Sequence, residues 1–163
     1  MLELRDVYKT FNAGTVNEKC AVDGVSLTLE DGDFVTVIGG NGAGKSTLLN
    51  LVAGVFPVDG GKVILNGTDL TALPEHRRAK YLGRVFQDPM MGTAATMEIE
   101  ENLALAYRRG KFRGLGHGIS NAERKLYREK LAALGLGLEE RMSTKVGLLS
   151  GGQRQALTLL MAT

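Results

Sequence analysis

Gly39-Gly40-Asn41-Gly42-Ala43-Gly44-Lys45-Ser46 follows the spacing G-x-x-x-x-G-K-[ST], with apolar Phe34-Val35-Thr36-Val37-Ile38 before it and Leu48, Leu49, Leu51 and Val52 after it. That context predicts a buried strand, a tight loop and a helix. Glycines allow successive backbone N–H groups to face inward as an anion nest, and the partial positive end of the following helix points at the same spot. A polyphosphate suits such a nest. Gly39, Asn41, Gly42, Ala43, Gly44 and Thr47 are the expected backbone cradle. Lys45 is expected to reach the β- and γ-phosphates, and the Ser46 hydroxyl to ligate the Mg²⁺ that bridges them. A plain glycine turn before a core helix would need neither Lys nor Ser in register.

The remaining composition bounds the partners. With 163 residues and 44% of them apolar, the chain has one domain's worth of residues and enough apolar side chains for a core. Twenty Lys and Arg against 18 Asp and Glu leave a net charge of +2, too balanced to suggest nucleic acid as a partner. The single cysteine, Cys20, cannot form an internal disulfide, and the charged start Met1-Leu-Glu-Leu-Arg-Asp6 is no signal peptide. No apolar run approaches the roughly 20 residues of a membrane span. The expectation is a soluble, cytoplasmic chain.

Along the chain, Leu2 and Leu4, then Val25, Leu27 and Leu29, alternate with polar residues as half-buried strands do. Asp31-Gly32 is expected to turn the chain into a core strand at Phe34–Ile38. Asp59-Gly60-Gly61 and Asn66-Gly67 bracket a short strand, Lys62-Val63-Ile64-Leu65, in the manner of hairpin turns. Thr71 to Lys80 reads as a short helix with Arg77, Arg78 and Lys80 on its wet side, and Leu82 to Phe86 as a core strand that places Gln87 at its mouth. From Thr96 the pattern is helical, ending in the basic cluster Arg108-Arg109-Gly110-Lys111-Phe112-Arg113, read as a solvated helix end and loop. Ser120 and Glu123 form a capping box that opens a helix through Leu134, closed by Gly135 and Gly137.

Leu149-Ser150-Gly151-Gly152-Gln153 opens one more helical stretch, Arg154 to Met161. With the phosphate loop upstream, the LSGGQ run resembles the signature of the ATP-binding cassette (ABC) ATPases, and Val85-Phe86-Gln87-Asp88-Pro89 resembles that family's Q-loop. The resemblance implies an α/β fold: a P-loop NTPase (RecA-like) core, an N-terminal antiparallel β-subdomain and a helical insertion. It divides the chain into 1–88 (β-subdomain and phosphate-loop core), 89–150 (helical subdomain) and 151–163 (signature helix). Implied cofactors are ATP and Mg²⁺. Implied roles are catalysis for Lys45 and Gln87, metal contact for Ser46 and Gln87, adenine stacking for Phe11 in preference to Tyr8, and contact with nucleotide held by a second cassette for Ser150, Gly151, Gly152 and Gln153. Asn12 to Lys19 reads as a loop over the base.

The partners implied are a second ATPase subunit in head-to-tail arrangement, transmembrane permease subunits near Asp88, Pro89, Met90 and Met91, and a substrate-binding protein. The implied location is the inner face of the cell membrane, as a peripheral subunit of a bacterial importer. Within these 163 residues the last carboxylate is Glu140, so neither the aspartate nor the glutamate the family carries after its signature is present. His76 and His117 lie upstream and read as surface residues. The expectation is the front portion of a cassette, with the C-terminal part of the core missing and ATP turnover not sustained. Other classes are a soluble repair or translation ABC ATPase, a phosphate-loop kinase that leaves LSGGQ unexplained, and a nucleotide-binding module without hydrolysis. The short helices between Gln87 and Ser150 speak against repair-type coiled coils, and a single cassette against the translation type.

Overall fold

Strands Leu2–Phe11 (β1) and Lys19–Leu29 (β2) pair antiparallel, and an irregularity in β1 between Leu4 and Val7, with Asp6 at φ 45°, breaks the period-two alternation so that Leu4 and Val7 both reach the core with Val22. A computed structural model describes residues 1–111 and 118–163 and separates two compact units, Met1–Leu82 and Gly83–Thr163.

In the first unit, β3 (Gly60–Leu65) pairs with the other edge of β1 and β4 (Thr68–Asp69) with β3, giving an antiparallel sheet in the order β2-β1-β3-β4. Asn66 and Gly67, at φ 48° and 74°, make the tight β3–β4 turn, which requires positive φ at both residues. Beside the β1 irregularity between Arg5 and Tyr8, a Cβ on Gly61 would lie 2.1 Å from the Asp6 carbonyl oxygen, so only glycine fits there. Helix α1 (Lys45–Ala53) packs Leu51 into a core with Leu4, Val7, Val22, Val63 and Leu70. The helix that follows the phosphate loop is thereby seated on the sheet.

Two expectations for this unit are corrected. Phe34–Ile38 forms no strand: residues 33–40 are irregular, and Phe34 and Ile38 are 96% and 89% exposed. A strand needs a ladder partner, and among the described residues no segment pairs with it. Arg78 is not on a wet face. The helix is the short α2 (Glu75–Arg78), and the Arg78 side chain, 1% exposed, donates to the carbonyls of Leu73 (2.7 Å), Leu51 (2.7 Å), Val52 (2.9 Å) and Thr71 (2.9 Å). The last carbonyls of a helix have no partner within it, and the guanidinium fork supplies donors to those of α1. Gly54, the left-handed cap of α1, makes room, since a Cβ there would lie 2.7 Å from Arg78 Nε. His76 is exposed, as expected.

The second unit is helical. Helices α3 (Ile99–Tyr107), α4 (Asn121–Ala132) and α5 (Gly151–Ala162) bury Ile99, Leu103, Tyr127, Leu131 and Leu157 together with Leu138, Met142 and Val146 of the connecting turns. Buried Asn102 closes the approach to α3, accepting from Ala94 N–H at 2.8 Å and donating to the carbonyls of Ala94 (3.1 Å) and Glu98 (2.9 Å). The Ser120–Glu123 capping box forms as expected, and Arg108 grips Glu123 at 2.8 Å. Arg108 is therefore an ion-paired helix cap rather than a free cation. Phe112, Arg113 and His117 lie outside the described residues. The expected Leu82–Phe86 strand is absent; the segment is irregular, for the same want of a ladder partner among the described residues. None of the described helices is long and apolar enough to cross a membrane.

Candidate functional site

In the first unit, Phe11, Lys19, Ala21 and the loop and helix residues Asn41, Gly42, Ala43, Gly44, Lys45, Ser46 and Thr47 line a cavity of about 320 Å³. The β1–β2 register brings the two flanks together. Phe11 pairs with Lys19 and Thr10 with Cys20, but Lys9 pairs with Val22, so the ladder skips Ala21. An extra residue in one strand is a β-bulge, a device that re-aims the backbone beside functional sites. Here the Ala21 carbonyl is directed at the loop, 2.2 Å from where a Cβ on Gly44 would stand. Gly44 also sits at φ 83° as the left-handed cap of α1, so sterics and dihedral both demand glycine.

The consequence is a helix terminus laid open to the cavity. The Leu48 N–H donates to the Gly44 carbonyl at 2.8 Å, which makes it the first intrahelical bond. The N–H groups of Lys45, Ser46 and Thr47 precede it and have no helical acceptor. No acidic residue stands in the first turn of α1, so nothing there offsets the positive end of the dipole. Lys45 Nζ folds back to donate to the carbonyls of Gly39 (2.6 Å) and Gly40 (2.7 Å), acceptors that phosphate oxygens would replace. Gly39 packs tightly under the loop, its would-be Cβ 3.2 Å from Ala43 Cβ.

Phe11 meets Phe56 edge to face, with centroids 5.3 Å apart, and its ring borders the cavity. Tyr8 instead packs over Gly24 and Gly60. Lys9 bonds Asp59 at 2.7 Å beside this ring, and that bond, with the Thr10 N–H at 2.6 Å, holds the Asp59 carboxyl below its usual range. Among the described residues no cluster of three His, Cys, Asp or Glu could hold a metal alone. Mg²⁺ is ordinarily held by few protein oxygens plus phosphates and waters, so the Ser46 hydroxyl fits that donor set.

The second unit carries the other sequence-derived residues. Gln87 is exposed, ahead of a one-turn 3₁₀ helix at Pro89–Gly92 that Asp88 caps by accepting the Met90 N–H at 2.9 Å. Ser150 caps α5. Its Oγ accepts the Gln153 N–H at 3.3 Å, while Gln153 Oε1 accepts the Ser150 N–H at 3.2 Å. A serine hydroxyl that accepts still has its own proton to donate. A Cβ on Gly151 or Gly152 would meet no heavy atom within 4 Å, so the fold itself does not require glycine at either position. The loop ahead of Ser150 is held by Arg154, which donates to the carbonyls of Gly147 and Leu149, both at 3.1 Å.

Lys19, Ala21 and Arg154 were not singled out by sequence reasoning. The signal for Lys19 was a cation ending a loop over the base; its place in the cavity depends on strand register, which alternation does not reveal. The structure brings Phe11 and residues 41–47 around one cavity.

Comparison with known proteins identifies the family. The ABC transporter family matches residues 22–163. The tyrosine transport ATP-binding protein of Clostridioides difficile is 38% identical, aligned over 100% of this chain and 64% of its own length. The methionine import ATP-binding protein MetN of Corynebacterium diphtheriae is 36% identical over 99% of this chain and 45% of its own length. Thus the chain spans about half to two thirds of these relatives. A dimeric ATP-binding cassette in a post-hydrolysis state bound to ADP and Pi superposes with a TM-score of 0.78 at 29% identity, covering 99% of this chain and 68% of that one. A nucleotide-free cassette from an ABC transporter gives 0.74 at 28% identity, covering 99% and 64%. The fold is that of a P-loop ATPase cassette, and the chain belongs to the ABC transporter family.

Proposed function

We propose that this chain forms the nucleotide-binding part of a transporter ATPase subunit, binding Mg²⁺-ATP between Phe11 and residues 39–47. The observation that carries this is the cavity in which a free helix terminus, two lysines and a hydroxyl converge with no carboxylate in the lining. Lys45 exchanges its loop carbonyls for phosphate oxygens and keeps its charge beside the γ-phosphate, where negative charge is redistributed during in-line attack by water. The backbone N–H groups of Lys45, Ser46 and Thr47 hold the phosphates in fixed orientation. The Ser46 hydroxyl would be a ligand to Mg²⁺, which would neutralise phosphate charge. Phe11 offers its ring to the adenine.

Ser150 and Gln153 would act on nucleotide held by a second cassette in a head-to-tail pair. Open space over Gly151 and Gly152 supports close approach by another molecule to the α5 terminus. The names of the tyrosine transport and methionine import relatives favour a small-solute importer. Permease subunits as partners and a peripheral place on the inner membrane face belong to that reading. Within these 163 residues no carboxylate follows Gln153, so the group that polarises the attacking water is not among them.

Two measurements test this. Lys45→Ala should weaken a fluorescent ATP analogue roughly ten- to a hundredfold, the loss of one charge-assisted contact; equal affinities remove the loop from the site. In the protein that completes the cassette, Ser150→Arg and Lys45→Ala should each abolish hydrolysis. Mixed dimers of the two retain one intact composite site and should recover part of the activity. Mixed dimers that form but stay inactive would refute action in trans.

A further inference from the structure

The cavity holds a cation that the phosphate-loop pattern does not include. Lys19 opens β2 directly opposite Phe11, and side chains of directly opposed residues in an antiparallel pair stand on the same face. Its Nζ lies 3.7 Å from where a Cβ on Gly42 would stand, at the middle of the loop, whereas Lys45 Nζ is held at the loop's entry by Gly39 and Gly40. Lys19 is exposed, and among the described residues no carboxylate or carbonyl engages its ammonium. Asp59, which meets β1 at Lys9 and Thr10, is already taken by those two residues. Every other neighbour of Lys19 in the cavity wall is neutral, apart from Lys45.

We propose that Lys19 is a second phosphate-binding cation, placed between the aromatic seat of Phe11 and the loop, where it takes the phosphate nearest the ribose of a nucleoside di- or triphosphate. This rests on the reading of residues 39–47 as a polyphosphate site. The two lysines divide the phosphate chain between them: Lys45 toward its free end, Lys19 toward the sugar. A nucleoside diphosphate therefore keeps the Lys19 contact in full. The ammonium is a strongly hydrated point charge on a flexible stem, so its contribution is that of an exposed charged contact rather than a buried one.

The test titrates the purified protein, its Lys19→Met and Lys19→Arg variants, and Lys45→Ala, with fluorescent ADP and ATP in the presence of Mg²⁺. Far-UV circular dichroism melts verify that each variant is folded. Lys19→Met should weaken ADP and ATP by the same factor, about three- to tenfold for a partly solvated charged contact. It should also flatten the dependence of affinity on salt, and Lys19→Arg should restore both. Lys45→Ala should penalise ATP more than ADP. If Lys19→Met binds both nucleotides as the unaltered protein does while Lys45→Ala is weakened, Lys19 is idle and the proposal falls while the loop reading stands. If neither variant changes affinity, the site itself is misplaced and both fall.

Discussion

Replacing Arg78 by Met removes the charged fork that joins the end of the phosphate-loop helix to the segment after β4. Four carbonyls lose a donor: Leu51, Val52, Thr71 and Leu73, at 2.7–2.9 Å. Leu51 keeps the Gly54 N–H at 3.2 Å, so three carbonyls carry the loss. An unmade buried hydrogen bond costs about 1–3 kcal/mol, which bounds the effect at roughly 3–9 kcal/mol. Against this, the variant no longer buries a guanidinium, whose desolvation costs several kcal/mol, and burial is what depresses the Arg78 pKa. Met also fills most of the stem volume. The net expectation is a destabilisation of about 3–4 kcal/mol, near the top of what single substitutions do. With a urea m-value of about 2 kcal/mol/M, that lowers the unfolding midpoint by roughly 1.5–2 M. The chain has no Trp, so the transition is followed by far-UV circular dichroism. Arg78→Lys keeps the charge but not the fork and should fall between the two. A midpoint shift under about 0.5 M for Arg78→Met would mean that water replaces the fork, and the reasoning from burial would be wrong.

Gly44→Ala meets the Ala21 carbonyl at 2.2 Å and must hold φ 83°, so it should abolish binding of a fluorescent ATP analogue and lower the melting temperature; unchanged binding would show that the bulge at Ala21 yields. Ser150→Ala should cost about 1 kcal/mol in thermal unfolding through the lost cap, whereas Ser150→Asp keeps the cap but sets a carboxylate against phosphate, sparing stability and abolishing ATP-driven dimers on gel filtration. The Glu123 carboxyl is lowered from 4.5 to about 2, first by the Ser120 N–H and then by Arg108. Its folded pKa is depressed, so the stabilisation is complete above 4.5 and is lost as pH falls from there toward 2. Glu100, lowered by Arg124, has the same sign. Glu123→Gln should therefore flatten the acid side of a melting-temperature profile; an unchanged slope would assign it to other carboxylates.

The sequence by itself determined whatever depends on neighbours in the chain. Glycines at 42 and 44 with Lys45 and Ser46 define a loop, because positive φ and the start of a helix are local properties. The Ser120 capping box spans three residues, and the hairpin at Asn66-Gly67 needs only two. These were all legible. The tertiary structure decided where long-range pairing enters. Arg78 reads as a surface cation beside Arg77 and Lys80, yet it is buried because the end of α1, distant in sequence, leaves carbonyls that need donors. Phe34–Ile38 and Leu82–Phe86 have strand composition, but a strand exists only through a partner's hydrogen bonds, and none of the described residues supplies them. Lys19 joins the phosphate loop only because the register of β1 against β2 skips Ala21, and register is a property of two strands that neither encodes alone.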